Sequence, residues 1–185
     1  MRRGNSGAIG LTRRAMLRLT LGSAAAVLAS GKHGWAGPAP RRLAFDNLHT
    51  GESVIETYWA DGAYRPEALA QFDHVLRDFR TNEVMAIDRR LLDLLYAVHG
   101  RLGSARPFAI ISGYRSPATN AKLAAAGGGV ARRSLHCFGM AIDVRLEDRS
   151  LRDLRRVAIA LKQGGVGFYP RDNFVHVDVG RVRQW

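Results

Sequence analysis

The sequence predicts an α+β fold, a small antiparallel sheet flanked by helices, and three observations carry that expectation. Segments with helical apolar spacing are mixed along the chain with short apolar runs of strand length. The connections between them are short, and no internal repeat breaks the order. A chain of 185 residues, 46% apolar and 24% charged, can also build one domain with a core of its own.

The first 36 residues read as a separate segment. Thr12-Arg13-Arg14-Ala15-Met16-Leu17-Arg18 has the twin-arginine pattern, and an apolar run follows from Leu19 to Ala29. Gly34-Trp35-Ala36 then suits signal cleavage after Ala36. The apolar run is short for a bilayer span, so a cleaved twin-arginine signal peptide is expected, with no stable membrane insertion afterwards. An uncleaved anchor is the alternative. The expected destination is the periplasm. Removing the six basic residues of this segment lowers the formal net charge from +12 to +6. The remaining excess suits an anionic polymer. Nucleic acid is not expected as a partner, because no basic block is interleaved with aromatics and export removes the opportunity. The one cysteine, Cys137, permits no internal disulfide, so the core must hold the domain.

Residues 37–42 form a Pro/Gly-rich linker, and residues 43–185 form the domain. Leu43 to Tyr64 alternates weakly around Thr50-Gly51-Glu52, which reads as a hairpin. His49 beside that turn is expected to be a solvated loop residue. Arg65-Pro66-Glu67 starts a helix whose stripe is Leu69, Phe72, Leu76 and Phe79, leaving His74 exposed. A second helix, from about Asp88 to Leu102, faces inward with Leu91, Leu94, Leu95 and Val98. His99 near its end is placed to meet the negative end of the helix dipole. Pro107 to Ile111 is a buried strand, and Ser116-Pro117 caps a short helix to about Ala126. The glycines at 127–129 end that helix and open a loop reaching Arg133. A strand follows, then a helix from Ser150 to Lys162 with Leu151, Leu154, Val157, Ala158 and Leu161 inward. Val166 to Tyr169 and Asn173 to Val179 are two further strands joined by Pro170-Arg171-Asp172.

Two imidazoles and a carboxylate sit within these short apolar strands, where unpaired polar groups are costly. Alternation places Phe174, His176 and Asp178 on one face of the last strand, and Ala141, Asp143 and Arg145 on one face of the middle strand. If the apolar faces pair, Asp143 and His176 lie together on the opposite face. His136 is seven residues before Asp143, an odd number, so the chain must bend between them, and Gly139 is the natural place. The three side chains then form a zinc set with a fourth position open for water, whose pKa zinc would lower towards about 7. By themselves two histidines and an aspartate also read as structural groups.

Ser134-x-His136-x-x-Gly139-x-Ala141-x-Asp143 resembles the motif of the zinc D-Ala-D-Ala peptidases, a superfamily shared with lysostaphin-type endopeptidases and the hedgehog signalling domain. Gly164 to Pro170, Phe174 to Asp178 and Gly180-x-Val182-Arg183-x-Trp185 are similar to one branch, the exported murein endopeptidases of the K type. The resemblance covers about residues 43–185. It implies a hedgehog/D-Ala-D-Ala peptidase-like fold and zinc (Zn2+) held by His136, Asp143 and His176. It also implies hydrolysis of peptide cross-links in peptidoglycan, with the stem peptides as partners. In that family the Ser-Gly-Tyr-Arg-Ser segment carries an arginine aimed at the active site, here Arg115, suited to a substrate carboxylate or a developing oxyanion. Two departures leave the general base unassigned. Asn173 stands where the dipeptidase relatives have an acidic base, and Phe174 where many have a second histidine. Asp178 shares the face of His176 and is expected either to orient that ligand or to assist the water. Cys137 should point away from His136 towards the core, which disfavours a cysteine peptidase. The expected activity is a zinc murein endopeptidase, and the alternative is a non-catalytic zinc-containing peptidoglycan-binding module.

Overall fold

Leu43, Phe45 and Asn47 are buried while their neighbours are not, the period of a strand with one covered face. The computed structural model, which describes residues 39–127 and 131–185, makes this strand β1, Arg41–Asn47. The expected signal segment lies outside the described residues, as do Gly128 and Gly129 of the glycine run. β1 pairs antiparallel with β2, Ser53–Ala60, as the hairpin expectation required. It starts at Arg41, so the last two residues of the expected linker belong to the sheet. β3, Ala63–Tyr64, folds back on β2.

Helix α1, Pro66–Val75, buries Ala68, Phe72 and Val75. It is shorter than its apolar stripe suggests, because the Leu76 carbonyl accepts the Tyr114 N–H at 2.7 Å instead of continuing the helix. Phe79 consequently falls outside the helix and stacks on His49, with ring centroids 3.9 Å apart. His49 also meets the Ile111 carbonyl, so it is exposed but fixed. Helix α2, Arg89–Leu102, is capped by Asp88 and buries Leu91, Leu92, Leu94, Leu95 and Val98. His99 lies in the last turn of α2, as expected; its Nε2 contacts the Arg106 carbonyl at 2.9 Å and its ring packs near Phe108. β4 is Phe108–Ser112, and α3, Pro117–Ala125, is capped by Ser116. β5, Ala141–Leu146, leads to α4, Leu151–Leu161, in which Leu154 and Ala158 are buried. β6, Gly165–Tyr169, β7, Phe174–Asp178, and β8, Arg183–Gln184, complete the order.

The fold class is α+β, but the sheet corrects the expectation of a small antiparallel one. It has eight strands in the order β3-β2-β1-β4-β5-β7-β6-β8, and the pairs β1–β4 and β6–β8 are parallel. The β1–β4 pair is parallel because the chain between β2 and β4 crosses over through α1 and α2 and returns in its original direction. Strand β8 has only two residues, too few to show any periodicity. One core joins Phe45, Phe72, Leu95, Phe108, Val144, Leu154 and Val175 from the sheet and helices. Among the described residues, no helix is long and apolar enough to cross a membrane.

Candidate metal centre and cleft

Strands β5 and β7 pair antiparallel with Asp143 directly opposite His176 and Ile142 opposite Val177. Ile142, Val144, Val175 and Val177 belong to the core, so alternation puts Asp143 and His176 on the other face. His176 Nδ1 lies 2.8 Å from Asp143 Oδ1, the juxtaposition expected from spacing.

His136 arrives by a different route. Ser134 caps a 3-10 turn, Leu135–Phe138, and Gly139 ends it in the left-handed region at φ 63°. A Cβ at Gly139 would collide with the Ala86 carbonyl oxygen. The bend is at Gly139 as expected, but the residues before it form a turn and not a strand. A serine cap and a left-handed glycine five residues apart close one helical turn locally, which removes those residues from any ladder. The turn delivers His136 Nε2 to 3.2 Å from His176 Nδ1 and 3.3 Å from Asp143 Oδ1.

The partners of the other ring nitrogens define the chemistry of this cluster. His136 Nδ1 faces the Gly113 carbonyl at 2.7 Å, and His176 Nε2 faces Asp178 Oδ2 at 3.1 Å. Both partners only accept, but the inner nitrogens, His136 Nε2 and His176 Nδ1, also face a carboxylate oxygen, so a neutral ring keeps its proton on the outer nitrogen when a cation takes the inner position. In that tautomer the lone pairs of His136 Nε2 and His176 Nδ1 would converge with the Asp143 carboxylate oxygen on one cation. Bonds of about 2.0–2.2 Å at tetrahedral angles would space ligand atoms by about 3.4 Å, close to the separations found. His136, Asp143 and His176, all buried, form the group among the described residues that could hold a metal ion. The charges in the cluster are strongly coupled. Burial opposes ionisation of Asp143, but the two imidazoles hold its carboxyl well below the usual range. Burial lowers and the Asp143 and Asp178 carboxylates raise the His176 imidazole, with a net upward shift.

Arg115 comes to the same place. Its N–H donates to the His136 carbonyl at 3.2 Å, and buried Asp78 anchors the next residue by accepting from the Ser116 N–H at 2.9 Å. The guanidinium lies 3.6 Å from Asp143 Oδ2 and donates to the Ser112 hydroxyl, and its Nε is buried without a partner. Ser116 is a helix cap, as expected. Asp178 is fully buried with both oxygens engaged, Oδ1 by the Gly165 and Gly180 N–H groups and Oδ2 by His176. Of its two expected roles, the geometry supports orienting His176. Its carboxyl is held well below the usual range, burial being outweighed by His176, Arg183 and two backbone N–H groups.

The cluster floors a cleft of about 550 Å³ whose walls include residues that sequence reasoning missed: Arg133, Tyr169, Asp172, Arg183 and Trp185. Tyr169, Arg183 and Trp185 fall within the K-type motif, which assigns them no role, while Arg133 and Asp172 lie in loops outside it and carried no sequence signal. Asn173, at the position of the relatives' base, has φ 56° and is not among the lining residues; Phe174 is, stacked on Tyr169 at 4.6 Å. Cys137 corrects one expectation. It is half-buried, not in the core, and borders a separate hollow with Pro117, Ala121 and Phe138. Burial raises its thiol pKa, the opposite of an activated nucleophile.

A His-Asp-His cluster at the floor of a cleft is the site expected of a metal-dependent peptidase from the motifs. Comparison with known proteins narrows this. A peptidase M15-type family model described as "Peptidoglycan L,D-endopeptidase MepK" matches residues 36–185. The chain belongs to that family of peptidoglycan endopeptidases. It is 45% identical over 148 residues to the peptidoglycan L,D-endopeptidase MepK of Escherichia coli K12, covering 80% of this chain and 81% of that one. To the probable peptidoglycan L,D-endopeptidase MepK of Haemophilus influenzae it is 40% identical over 149 residues, 80% of each chain.

Proposed function

We propose that this protein is a zinc-dependent peptidoglycan endopeptidase that hydrolyses an L,D peptide cross-link between stem peptides. The observation that carries the reading is the convergence of His136 Nε2, Asp143 Oδ1 and His176 Nδ1 at the floor of the cleft. The donor set favours zinc, and three protein ligands leave a position open to chemistry. The L,D assignment is supported by the printed names of the relatives.

His136, Asp143 and His176 would hold the metal, which when bound supplies Lewis acidity towards a peptide carbonyl and an attacking water. The protein's own groups do the rest. Arg115, with a buried unpartnered Nε–H, faces charge developing at the carbonyl oxygen or a stem-peptide carboxylate. Arg133 adds a second cation to the cleft wall, suited to the carboxylates of the substrate. Tyr169, Phe174 and Trp185 form an aromatic wall that limits water around the reacting bond. Asp178 keeps the His176 ring in the tautomer that leaves Nδ1 free. Such a substrate lies in the cell wall, which supports export of the domain to the periplasm by the twin-arginine segment at 1–36. A binding module without turnover is less well supported, since the relatives are named as endopeptidases.

The test is digestion of purified muropeptides by the full chain with and without a zinc chelator, reading new peptide termini by mass spectrometry. Cleavage should need one zinc per chain and stop on chelation. Cleavage that continues at full rate in metal-free protein sinks the reading.

A further inference from the structure

We propose that the C-terminal segment from Gly180 to Trp185 is part of the metal centre, and that Arg183 is a positioning residue acting on His176 through Asp178. The inference rests on the metal reading above and extends it to residues outside the three ligands. Arg183 Nη2 lies 2.7 Å from Asp178 Oδ2 and Nη1 lies 3.2 Å from Oδ1, a two-pronged pair. Oδ2 is the oxygen that also accepts from His176 Nε2. Asp178 has no exposure, and Arg183 is the arginine that meets it. The chain is therefore guanidinium, carboxylate, imidazole, metal, each link fixing the next.

The rest of the segment holds Arg183 in register. β8 pairs with β6, Gly165 opposite Arg183 and Val166 opposite Gln184. The Phe168 N–H donates to the Trp185 carbonyl at 3.0 Å, and the Trp185 N–H donates to the Val166 carbonyl at 3.2 Å. The Arg183 guanidinium lies 4.8 Å from the centre of the Trp185 ring, whose Nε1–H donates to the Tyr169 hydroxyl at 2.7 Å. That ring also sits 5.3 Å from the His176 ring. Two glycines inside a strand, ordinarily a weakness, find their reason here. A Cβ at Gly165 would collide first with Asp178 Oδ2 and lie 2.5 Å from Arg183 Nη1, and one at Gly167 would lie 2.7 Å from the Trp185 indole. The Gly165-x-Gly167 spacing is a slot cut for these two side chains.

The test measures zinc affinity of the full chain by chelator competition, with the visible spectrum of the cobalt(II)-loaded protein as a second readout. Arg183→Gln should weaken zinc binding by about 10- to 100-fold and alter the cobalt spectrum, and Arg183→Lys should recover part of both. Asp178→Asn combined with Arg183→Gln should bind no more weakly than Asp178→Asn alone, because the two act in one chain. The double variant removes both charges together, which guards against a misfolded single variant. Wild-type affinity in Arg183→Gln, or losses that multiply in the double variant, overturns the proposal while leaving the metal reading intact. A wild-type chain that takes up no zinc overturns both.

A separate observation concerns the proton. The geometry points to Asp172 as the acid–base group of the hydrolysis. The cleft wall holds two carboxylates, Asp143 and Asp172. Asp143 is committed to both imidazoles, whereas no hydrogen bond or ion pair among the described residues engages Asp172. The left-handed turn at Asn173 brings Asp172 and Phe174, but not Asn173, to the wall. As the water oxygen bonds to the carbonyl carbon, its proton passes to the Asp172 carboxylate. As the C–N bond breaks, that proton moves to the departing amine nitrogen and Asp172 is ionised again. Asp172→Asn should keep zinc stoichiometry and muropeptide binding while kcat falls by about 10²- to 10⁴-fold. A rate within threefold of wild type overturns the assignment, and so does a loss of muropeptide binding that accounts for the fall.

Discussion

Gly139→Ala tests how the two halves of the motif are brought together. The residue has φ 63°, and a Cβ would collide with the backbone of Ala86. A non-glycine residue in this region costs about 1–2 kcal/mol. Overlap with packed backbone adds about 1–3 kcal/mol, because the segment around Ala86 is tied to the turn by the Asp88 N–H donating to the Gly139 carbonyl at 2.9 Å. Alanine returns about 0.4–1 kcal/mol through the unfolded state. The net loss is about 1–5 kcal/mol. Gly51→Ala is the internal control: φ there is 74°, with nothing within 4 Å of the added carbon. Only the backbone cost applies to it, about 1 kcal/mol after the unfolded-state offset. Urea unfolding of metal-free protein gives both values, and zinc titration reports the site. Gly139→Ala should lose more stability than Gly51→Ala and bind zinc more weakly, because the bend sets His136 against Asp143. Equal losses in the two variants with unchanged zinc affinity would refute the argument that this bend builds the site.

Three further outcomes follow from the same geometry. Arg115→Ala should lower kcat/KM by about 10²- to 10³-fold, the scale of a lost charge-stabilising donor, and Arg115→Lys should recover little because the fork is gone; steady-state kinetics on a defined muropeptide decides this. Cys137→Ala should leave zinc content and cleavage unchanged, since the thiol borders a different hollow and burial keeps it protonated; a dead variant with normal zinc would revive the cysteine mechanism. Glu52 is held at about 2 by hydrogen bonds from the Arg77 guanidinium and the Thr50 hydroxyl. Its folded value lies below the ordinary 4.5, so its contribution is present above about 4.5 and is lost as pH falls towards about 2. Glu52→Gln should cost under about 1 kcal/mol at pH 7, as expected for a partly exposed pair. The gap from wild type should close across that acid window in urea melts.

What the sequence made legible, and what it did not, divides along one physical line. Asp143 and His176 are placed on one face by the sequence alone, because strand alternation has a fixed period and both neighbours of each are apolar. The bend at Gly139 was legible for a related reason: an odd spacing between two convergent groups forbids a straight strand. The turn carrying His136 was not, because four residues are too few for a helical stripe to appear, and their apolar character suits a strand equally well. The parallel pairs of the sheet were hidden too, since pairing direction depends on how the intervening helices pack and not on the strand's own pattern. Arg183 and Trp185 were hidden most deeply. Their roles exist only across the β6–β8 pair, where the missing side chains of Gly165 and Gly167 make the space they fill. A glycine in a strand reports that something approaches, but not what, and here each answer comes from a side chain eighteen residues away in sequence. That is why the ligands of the site could be read along the chain, while the residues that hold them in position emerged only across the sheet.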